Sequence, residues 1–145
     1  MGARKREMAE RHKEIKRQTA VAKLNNVPTS PRKMRLVADL VRGVEVNRAL
    51  DILKYTKKEA SVRLGRLVKS AIANWEAKNE DDRKELEAGN VYVQHISVGQ
   101  GRTIKRIHIA SRGRAARIRK RSNHVTIVLN KRNEILTQTE EGTEE

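Results

Sequence analysis

The sequence contains no cysteine, no phenylalanine, one tryptophan and two tyrosines among its 145 residues. Without cysteine, the chain can have no disulfide partner and no thiolate metal site. With so few aromatic side chains, it offers no platform on which single-stranded bases could stack. Its core must therefore be built from Leu, Ile, Val and Ala, and other side chains must make any contacts with nucleic acid.

Long apolar segments are also absent. No stretch approaches the roughly 18 apolar residues that a membrane-spanning helix needs, and the basic helical segments lack an aromatic anchor face. The first residues are rich in Lys, Arg and Glu and contain no apolar segment of a secretory signal. We therefore expect a cytoplasmic protein with no membrane partner.

Acidic residues are missing from one long part of the chain. Between Asn90 and Glu134 there is no Asp or Glu but there are eleven Lys or Arg, nine of them within Arg102 to Arg121. The whole chain carries a formal net charge of +15 and has a pI near 10.7. A block of like charges repels itself and needs a polyanion to neutralise it, so nucleic acid is the predicted partner.

Residues that could bind a metal or carry out catalysis are poorly placed. The four histidines are His12, His95, His108 and His124. The last two could face each other across a hairpin, but the neighbouring Lys and Arg would repel a divalent cation. Ser and Thr in the same segment have no carboxylate beside them to orient a His for nucleophilic catalysis. The sequence thus predicts no metal site, no cofactor and no enzymatic activity.

One acidic stretch keeps an enzymatic alternative open. The stretch from Lys78 to Gly89 contains Glu80, Asp81, Asp82, Glu85 and Glu87. These carboxylates could bind Mg²⁺ for an RNA-processing enzyme, but they lie in a polar run without an apolar frame to fix them. We interpret the stretch as a solvated connection.

Both ends of the chain differ from its middle. Residues 1–18 alternate Lys and Arg with Glu and are interpreted as a charged N-terminal extension, helical or disordered. Residues 134–145 contain five Glu and predict an acidic disordered tail. Residues 19–133 are predicted to form a single globular domain.

Patterns at the start of this domain predict a strand and a helix. Residues 19–27 alternate weakly and predict a strand that Pro28 ends. Ser30 is a good N-cap before Pro31, which predicts a helix from Pro31 to Arg42 that Gly43 stops. The residues predicted to be buried on it are Met34, Val37, Leu40 and Val41.

Two more helices are predicted after Gly43. The second covers residues 46–53, and the third begins at the capping box Thr56-Lys57-Lys58-Glu59. Apolar residues of the third helix recur at helical spacing, namely Ala60, Leu64, Leu67, Val68, Ala71, Ile72 and Trp75. This helix is expected to form the centre of the core.

Strand-like segments at residues 91–98 and 124–129 flank the basic block. The block is therefore predicted to be a protruding β-hairpin, residues 99–122, with its turn at Gly113. A leg of about a dozen residues at roughly 3.3 Å each would reach on the order of 40 Å. Arg can bind two phosphate oxygens at once, so the predicted mode of recognition is phosphate and ribose contact with structured RNA.

Four ordered motifs carry a resemblance to a known family. They are SPRKMRLVADLVRG at 30–43, ALDIL at 49–53, KSAIAN at 69–74, and KRI at 105–107 continuing through GRA at 113–115 to KRSNHVT at 120–126. Over Lys23 to Leu129 they resemble the bacterial type of ribosomal protein L twenty-two of the large subunit. Many bacterial members have Pro-Arg-Ala where this chain has Ile109-Ala110-Ser111.

The resemblance implies an α+β fold in which three helices pack on a three-stranded antiparallel sheet and a long basic β-hairpin protrudes. It implies a structural role in the large ribosomal subunit, with binding to 23S-type ribosomal RNA and support of subunit assembly. It further implies contacts with neighbouring large-subunit proteins, and a hairpin that lines the exit tunnel beside the nascent peptide.

Site residues follow from the basic pattern and the matched motifs. The residues predicted to bind RNA are Ser30, Arg32, Lys33, Arg35, Arg42, Arg102, Lys105, Arg106, Arg112, Gly113, Arg114, Arg117, Arg119, Lys120, Arg121 and His124. The residues expected to line the tunnel are Lys105, Arg106, Ile107, His108, Arg112 and Arg114.

A different binding function is also compatible with the sequence. A non-ribosomal RNA chaperone or a nucleoid-type basic protein would share the positive charge. Such a protein would bind many nucleic acids with little preference and with a steep salt dependence.

Overall fold

The computed structural model of the protein describes residues 3–78, 86 and 88–132. Within these residues the chain forms four α-helices and three β-strands. The helices are α1 (Ala3–Gln18), α2 (Pro31–Val41), α3 (Val46–Tyr55) and α4 (Glu59–Lys78), and the strands are β1 (Ala20–Val27), β2 (Val91–Ile109) and β3 (Ala115–Lys131). The predicted α+β class is confirmed, and the additional helix is formed by the N-terminal extension.

Most of the predicted acidic connection, residues 79–85 and 87, and all of the predicted acidic tail, residues 134–145, lie outside the described residues. Among the helices that the structure describes, none is long and apolar enough to cross a membrane.

The three strands form one antiparallel sheet in the order β1–β3–β2, so β3 lies in the centre. Helices α2, α3 and α4 pack against the sheet. On β3 the side chains of Val125, Ile127 and Leu129 are fully buried beneath this helix layer. The largest side chain in the core is that of Trp75 on α4, whose indole N–H has no hydrogen-bond partner among the described residues.

Helix α2 begins and ends close to the predicted positions. Pro31 is its first residue, and the chain leaves the helix through Gly43, whose φ of 73° suits glycine. The prediction for Leu40 is wrong, because its side chain is 48% exposed and Ala38 is buried instead. Leu40 lies roughly 100° around the helix from Val41, outside the stripe that contacts the sheet.

The join between α3 and α4 differs from the predicted capping box. Thr56 ends α3 rather than starting α4, and its hydroxyl donates to the carbonyl of Ile52 at 2.6 Å. The carboxylate of Glu59 accepts from Arg63 at 2.9 Å. Ser61, in the first turn of α4, is a buried polar residue. Its hydroxyl is paired, because it donates to the carbonyl of Lys58 at 2.6 Å. Apart from Ile72, which is half-buried, the predicted apolar stripe of α4 is fully buried.

Strands β2 and β3 continue beyond the body of the protein as a long hairpin, which we call the arm. Its paired part runs from Thr103 opposite Arg121 to Ile109 opposite Ala115. The turn is wider than Gly113 alone, because Arg112 at φ 57° and Gly113 at φ 70° are both left-handed. The amide of Ala110 closes the turn by donating to the carbonyl of Arg114 at 2.8 Å.

A bulge marks the base of the arm. Between the pairs Gln100–Asn123 and Thr103–Arg121, β2 advances by one residue more than β3. Gly101 lies in this bulge, where an added Cβ would come within 2.7 Å of the Ser122 hydroxyl and 3.2 Å of the Asn123 amide nitrogen. The Ser122 hydroxyl is itself fixed, because it donates to the carbonyl of Arg102 at 2.6 Å.

The close approach at Gly101 predicts the effect of a methyl group at that position. We expect Gly101→Ala to lower the free energy of unfolding by about 1–3 kcal/mol, because the surrounding strand would have to shift. Urea unfolding followed by circular dichroism measures this change.

Gly99→Ala is the matched control, since a Cβ at Gly99 meets only the His124 carbonyl oxygen at 3.9 Å. Adding Ser122→Ala to Gly101→Ala should recover part of the lost stability by removing the nearest atom. Equal effects of the two glycine substitutions would contradict the close-packed bulge.

Candidate nucleic-acid interface

One face of β3 changes its chemistry along the strand. Successive residues of a strand point to opposite faces of the sheet. Both register shifts between β2 and β3 add their extra residue to β2, so β3 is uninterrupted. The odd-numbered residues of β3 therefore stay on one face. On that face Val125 to Leu129 are buried under the helices, whereas the arginines of the arm are exposed. These arginines are Arg117, Arg119 and Arg121. The face that builds the core therefore continues into the arm as a row of cations.

The partner strand adds to this row. In an antiparallel pair, residues directly opposite each other lie on the same face. Lys105 is opposite Arg119, Ile107 is opposite Arg117, and Thr103 is opposite Arg121. We call the surface formed by Lys105, Arg117, Arg119 and Arg121 the cationic face. Like charges directly opposite each other are destabilising, so this face favours a bound anion.

The opposite side of the arm carries fewer cations, and we call it the mixed face. It is formed by Ile104, Arg106, His108, Ala116, Ile118 and Lys120. Ile104 and Ile118 on this face are 46% and 43% exposed, whereas Ile107 and Ile109 on the side of the cationic face are 75% and 85% exposed. This face therefore combines two cations with aliphatic surface.

A groove lies between the start of α2 and the base of the arm. It has a volume of about 440 Å³ and is lined by Ser30, Pro31, Arg32, Arg35, Gln100 and Arg121. A second groove of about 590 Å³ adjoins it and is lined by Pro28, Ser30, Arg102, Ile104, Arg119, Lys120, Arg121 and Ser122. We call the two together the base groove. Arginine and lysine line it without any carboxylate, which is the composition of an anion-binding surface.

Two contacts hold α2 and the loop before it against β2 and β3 next to the base of the arm. The guanidinium of Arg35 donates to the Val98 carbonyl of β2 through Nη2 at 3.1 Å. The fully buried amide of Asn123 donates to the Thr29 carbonyl at 2.7 Å and to the Thr29 hydroxyl at 2.8 Å. A guanidinium carries five N–H donors, so Arg35 retains donors that do not contact the Val98 carbonyl. Asn123 thus fixes the loop that precedes α2 beside the first residues of the arm.

The structure does not bring all of the predicted RNA-binding residues together. Lys33 lines a separate groove with Lys58 and Glu59, on the side of α2 that faces the start of α4. Arg42 lies at the other end of α2 and forms an exposed ion pair with Asp39 at 2.9 Å.

His124 has a structural contact instead of an exposed position on the arm. Its Nδ1 accepts a hydrogen bond from the amide of Asn26 at 3.2 Å. Asn26 has a φ of 55° and lies in a bulge of β1, so His124 supports this irregular backbone. Arg112, Gly113 and Arg114 form the tip of the arm.

The residues expected to line the tunnel are divided between the two faces. Lys105 and Ile107 share the side of the cationic face, whereas Arg106 and His108 lie on the mixed face. The hairpin thus places these residues on opposite sides, and which of them line a tunnel stays a prediction.

Some residues of the interface were not identified from the sequence. Gln100 and Ser122 line the base groove, and Thr29 and Asn123 position it. The alternation of Arg with other residues from Arg117 to Arg121 was the available signal for the cationic face. Within the described residues, no group of three or more His, Asp or Glu could hold a metal ion.

Comparison with known proteins finds a family that matches most of the chain. The family model described as Ribosomal protein L22p/L17e matches residues 22–130. A protein named large ribosomal subunit protein uL22 from Christiangramia forsetii is 62% identical over 133 residues, covering 92% of this chain and 97% of the relative. The protein of the same name from Flavobacterium psychrophilum is 60% identical, covering 89% of this chain and 93% of the relative. The one from Bacteroides thetaiotaomicron is 58% identical, covering 88% of this chain and 91% of the relative. The resemblance based on the four motifs is confirmed.

The buried amide of Asn123 predicts a localised loss of stability. We expect Asn123→Ala to lower the free energy of unfolding by about 1–3 kcal/mol, because the Thr29 carbonyl loses its donor. Denaturant unfolding measures the loss. Asn25→Ala, an exposed change on β1, should stay within about 0.5 kcal/mol. An equally small effect at Asn123 would show that the amide does not hold the groove together.

Proposed function

The chain belongs to the Ribosomal protein L22p/L17e family, and from this premise we propose that it binds large-subunit ribosomal RNA with its arm and base groove and lines the peptide exit tunnel with the arm. Membership in the family makes the chain a structural constituent of the large ribosomal subunit and not an enzyme. Binding to ribosomal RNA, contact with the nascent peptide and support of assembly are the proposed steps beyond that role.

The observation that carries the RNA proposal is the cationic face. Its four cations are exposed, and the segment between Asn90 and Glu134 provides no carboxylate to neutralise them. Lys and Arg that contact phosphates release counterions from the nucleic acid, which supplies much of the binding free energy. The base groove continues this surface toward α2, so an RNA backbone could follow it from the body along the arm.

The two faces of the arm suit two different surroundings. The cationic face is suited to the RNA wall, where each guanidinium can bind phosphate oxygens. The part of the mixed face beyond the base groove, with Arg106, His108 and Ile118, then faces the tunnel lumen. Aliphatic side chains with few charges allow a peptide of varied sequence to pass without strong binding. Within the predicted tunnel-lining set, Arg106 and His108 are thereby assigned to the lumen, and Lys105 and Ile107 to the wall.

The proposed support of subunit assembly rests on the mutual stabilisation of the arm and the RNA. An isolated two-stranded hairpin is only marginally stable in water, and the nine like charges of this hairpin repel each other. Binding of RNA to the ordered arm stabilises it by mass action. The same binding brings distant RNA segments to one protein, which supports the folding of the subunit.

The RNA proposal predicts a salt-dependent loss of affinity. Replacing Arg117, Arg119 and Arg121 together by Gln should weaken binding to large-subunit RNA fragments. It should also reduce the slope of log K against log salt by about one for each lost phosphate contact. Filter binding at several salt concentrations measures both quantities.

The matched control removes the same charge from the helix layer, at exposed positions Arg48, Lys57 and Lys58. This variant should keep most of the affinity. Equal losses in both variants, with no preference for large-subunit RNA over other RNA, would support a basic RNA chaperone in place of the proposed interface.

The tunnel proposal predicts different exposure of two adjacent residues. The chain has no cysteine, so Lys105→Cys and Arg106→Cys each introduce a unique thiol. In ribosomes stalled on a nascent chain that carries a cysteine, the thiol at position 106 should form a disulfide with the peptide, and the thiol at position 105 should not. Crosslinking only at position 105 would reverse the assignment of the faces.

A further inference from the structure

Another groove lies in the helix layer, between α3 and α4. It has a volume of about 390 Å³ and belongs to neither the arm nor the base groove. Leu50 and Leu53 of α3 face Val62 and Gly65 of α4 across it. The floor is therefore aliphatic, and Val62 is 59% exposed.

Gly65 is the unusual residue of this groove. It lies inside a twenty-residue helix, where glycine is less favourable than alanine. An added Cβ at Gly65 would meet nothing within 4 Å, so packing within the described chain does not require glycine there. Glycine on the surface of a helix permits the backbone of another molecule to approach closely.

The charges around the groove indicate the chemistry of its occupant. Lys54, Arg66 and Lys69 line it together with a single acid, Asp51. The cation Nζ of Lys54 also lies 5.9 Å from the ring centre of Tyr55, which is 78% exposed. The surplus of positive charge favours a segment with carboxylates, and the aliphatic floor favours an apolar side chain between them.

A protein segment fits these features better than a nucleotide does. RNA bases are bound by stacking on flat aromatic or guanidinium groups and by hydrogen bonds to their edges. Arg66 is the one guanidinium in the lining, and the floor formed by Leu50, Leu53 and Val62 offers an apolar surface rather than a flat plane for stacking. A branched aliphatic side chain fills such a floor and leaves no polar group unpaired.

We propose that the α3–α4 groove holds an extended, acidic segment of a neighbouring large-subunit protein. Its backbone passes over Gly65, an aliphatic side chain fills the floor, and carboxylates contact Arg66 and Lys69. This inference rests on membership in the large subunit and is independent of the RNA contacts of the arm. The groove is thus a protein contact on a chain whose arm contacts RNA.

Crosslinking in purified large subunits tests the occupant. Val62→Cys places the only thiol of the chain in the groove, and a benzophenone maleimide attached to it is activated by light. We expect a crosslink to one large-subunit protein, at a peptide that contains carboxylates and an aliphatic residue, identified by mass spectrometry. A crosslink to RNA, or a thiol that stays fully reactive in assembled subunits, would overturn the proposal.

A thiol at the exposed rim position Lys69 serves the same purpose if Val62→Cys fails to fold. Lys69→Cys should crosslink to the same peptide. Because the RNA-binding variants of the arm are separate, failure here leaves the RNA proposal intact.

Substitution of Gly65 provides a second readout. Gly65→Ala should raise the melting temperature of the free chain, since nothing obstructs the methyl group and alanine favours the helix. Gly65→Leu should be outcompeted by the unsubstituted chain for incorporation into subunits, because the side chain occupies the path of the segment. Ala73→Leu, at an exposed position on the same helix, should compete normally. Equal incorporation of Gly65→Leu and Ala73→Leu would contradict occupation of the groove.

Discussion

The two-residue period of β3 is the constraint on which the whole interface depends. Packing of Val125, Ile127 and Leu129 under the helices fixes which face of the strand points toward the core. Because the strand continues without an extra residue, the same face emerges beyond the body as the arginines of the cationic face. A register slip of one residue would move every side chain to the other face. The hydrophobic core thus determines the rotation of the arm as well as the stability of the body.

The electrostatics of the chain follow from this geometry. The two ion pairs found among the described residues lie on α2 and α4, are solvent-exposed, and contribute at most about 1 kcal/mol each. In the arm, Lys105 lies directly opposite Arg119 and no carboxylate is near in sequence. The charge of the arm is therefore left for an external polyanion to neutralise. The α3–α4 groove, with its aliphatic floor, lies outside this region, so the surface proposed for RNA and the surface proposed for protein are separate on one small chain.

Local sequence patterns predicted those features that depend on neighbouring residues. Pro31 and Gly43 delimit α2 because their backbone preferences act at their own positions, and the long stripe of α4 identified its buried face. Leu40 was misassigned because α2 carries apolar residues outside its buried stripe as well as within it, and Leu36 and Leu40 are both exposed. Thr56 was misassigned because its hydroxyl bonds the preceding helix rather than the following one. The base groove was beyond sequence reasoning, since it joins α2 to a bulge near Gly101, some seventy residues away in the chain.

A cryo-electron microscopy map of the large subunit that contains this chain would test the central claim most directly. The arm is predicted to lie with Arg117, Arg119 and Arg121 within hydrogen-bond distance of RNA phosphates, while Arg106 and His108 face the lumen of the tunnel. A map in which the mixed face contacts the RNA and the arginine row faces the lumen would contradict the continuity of one face from core to RNA.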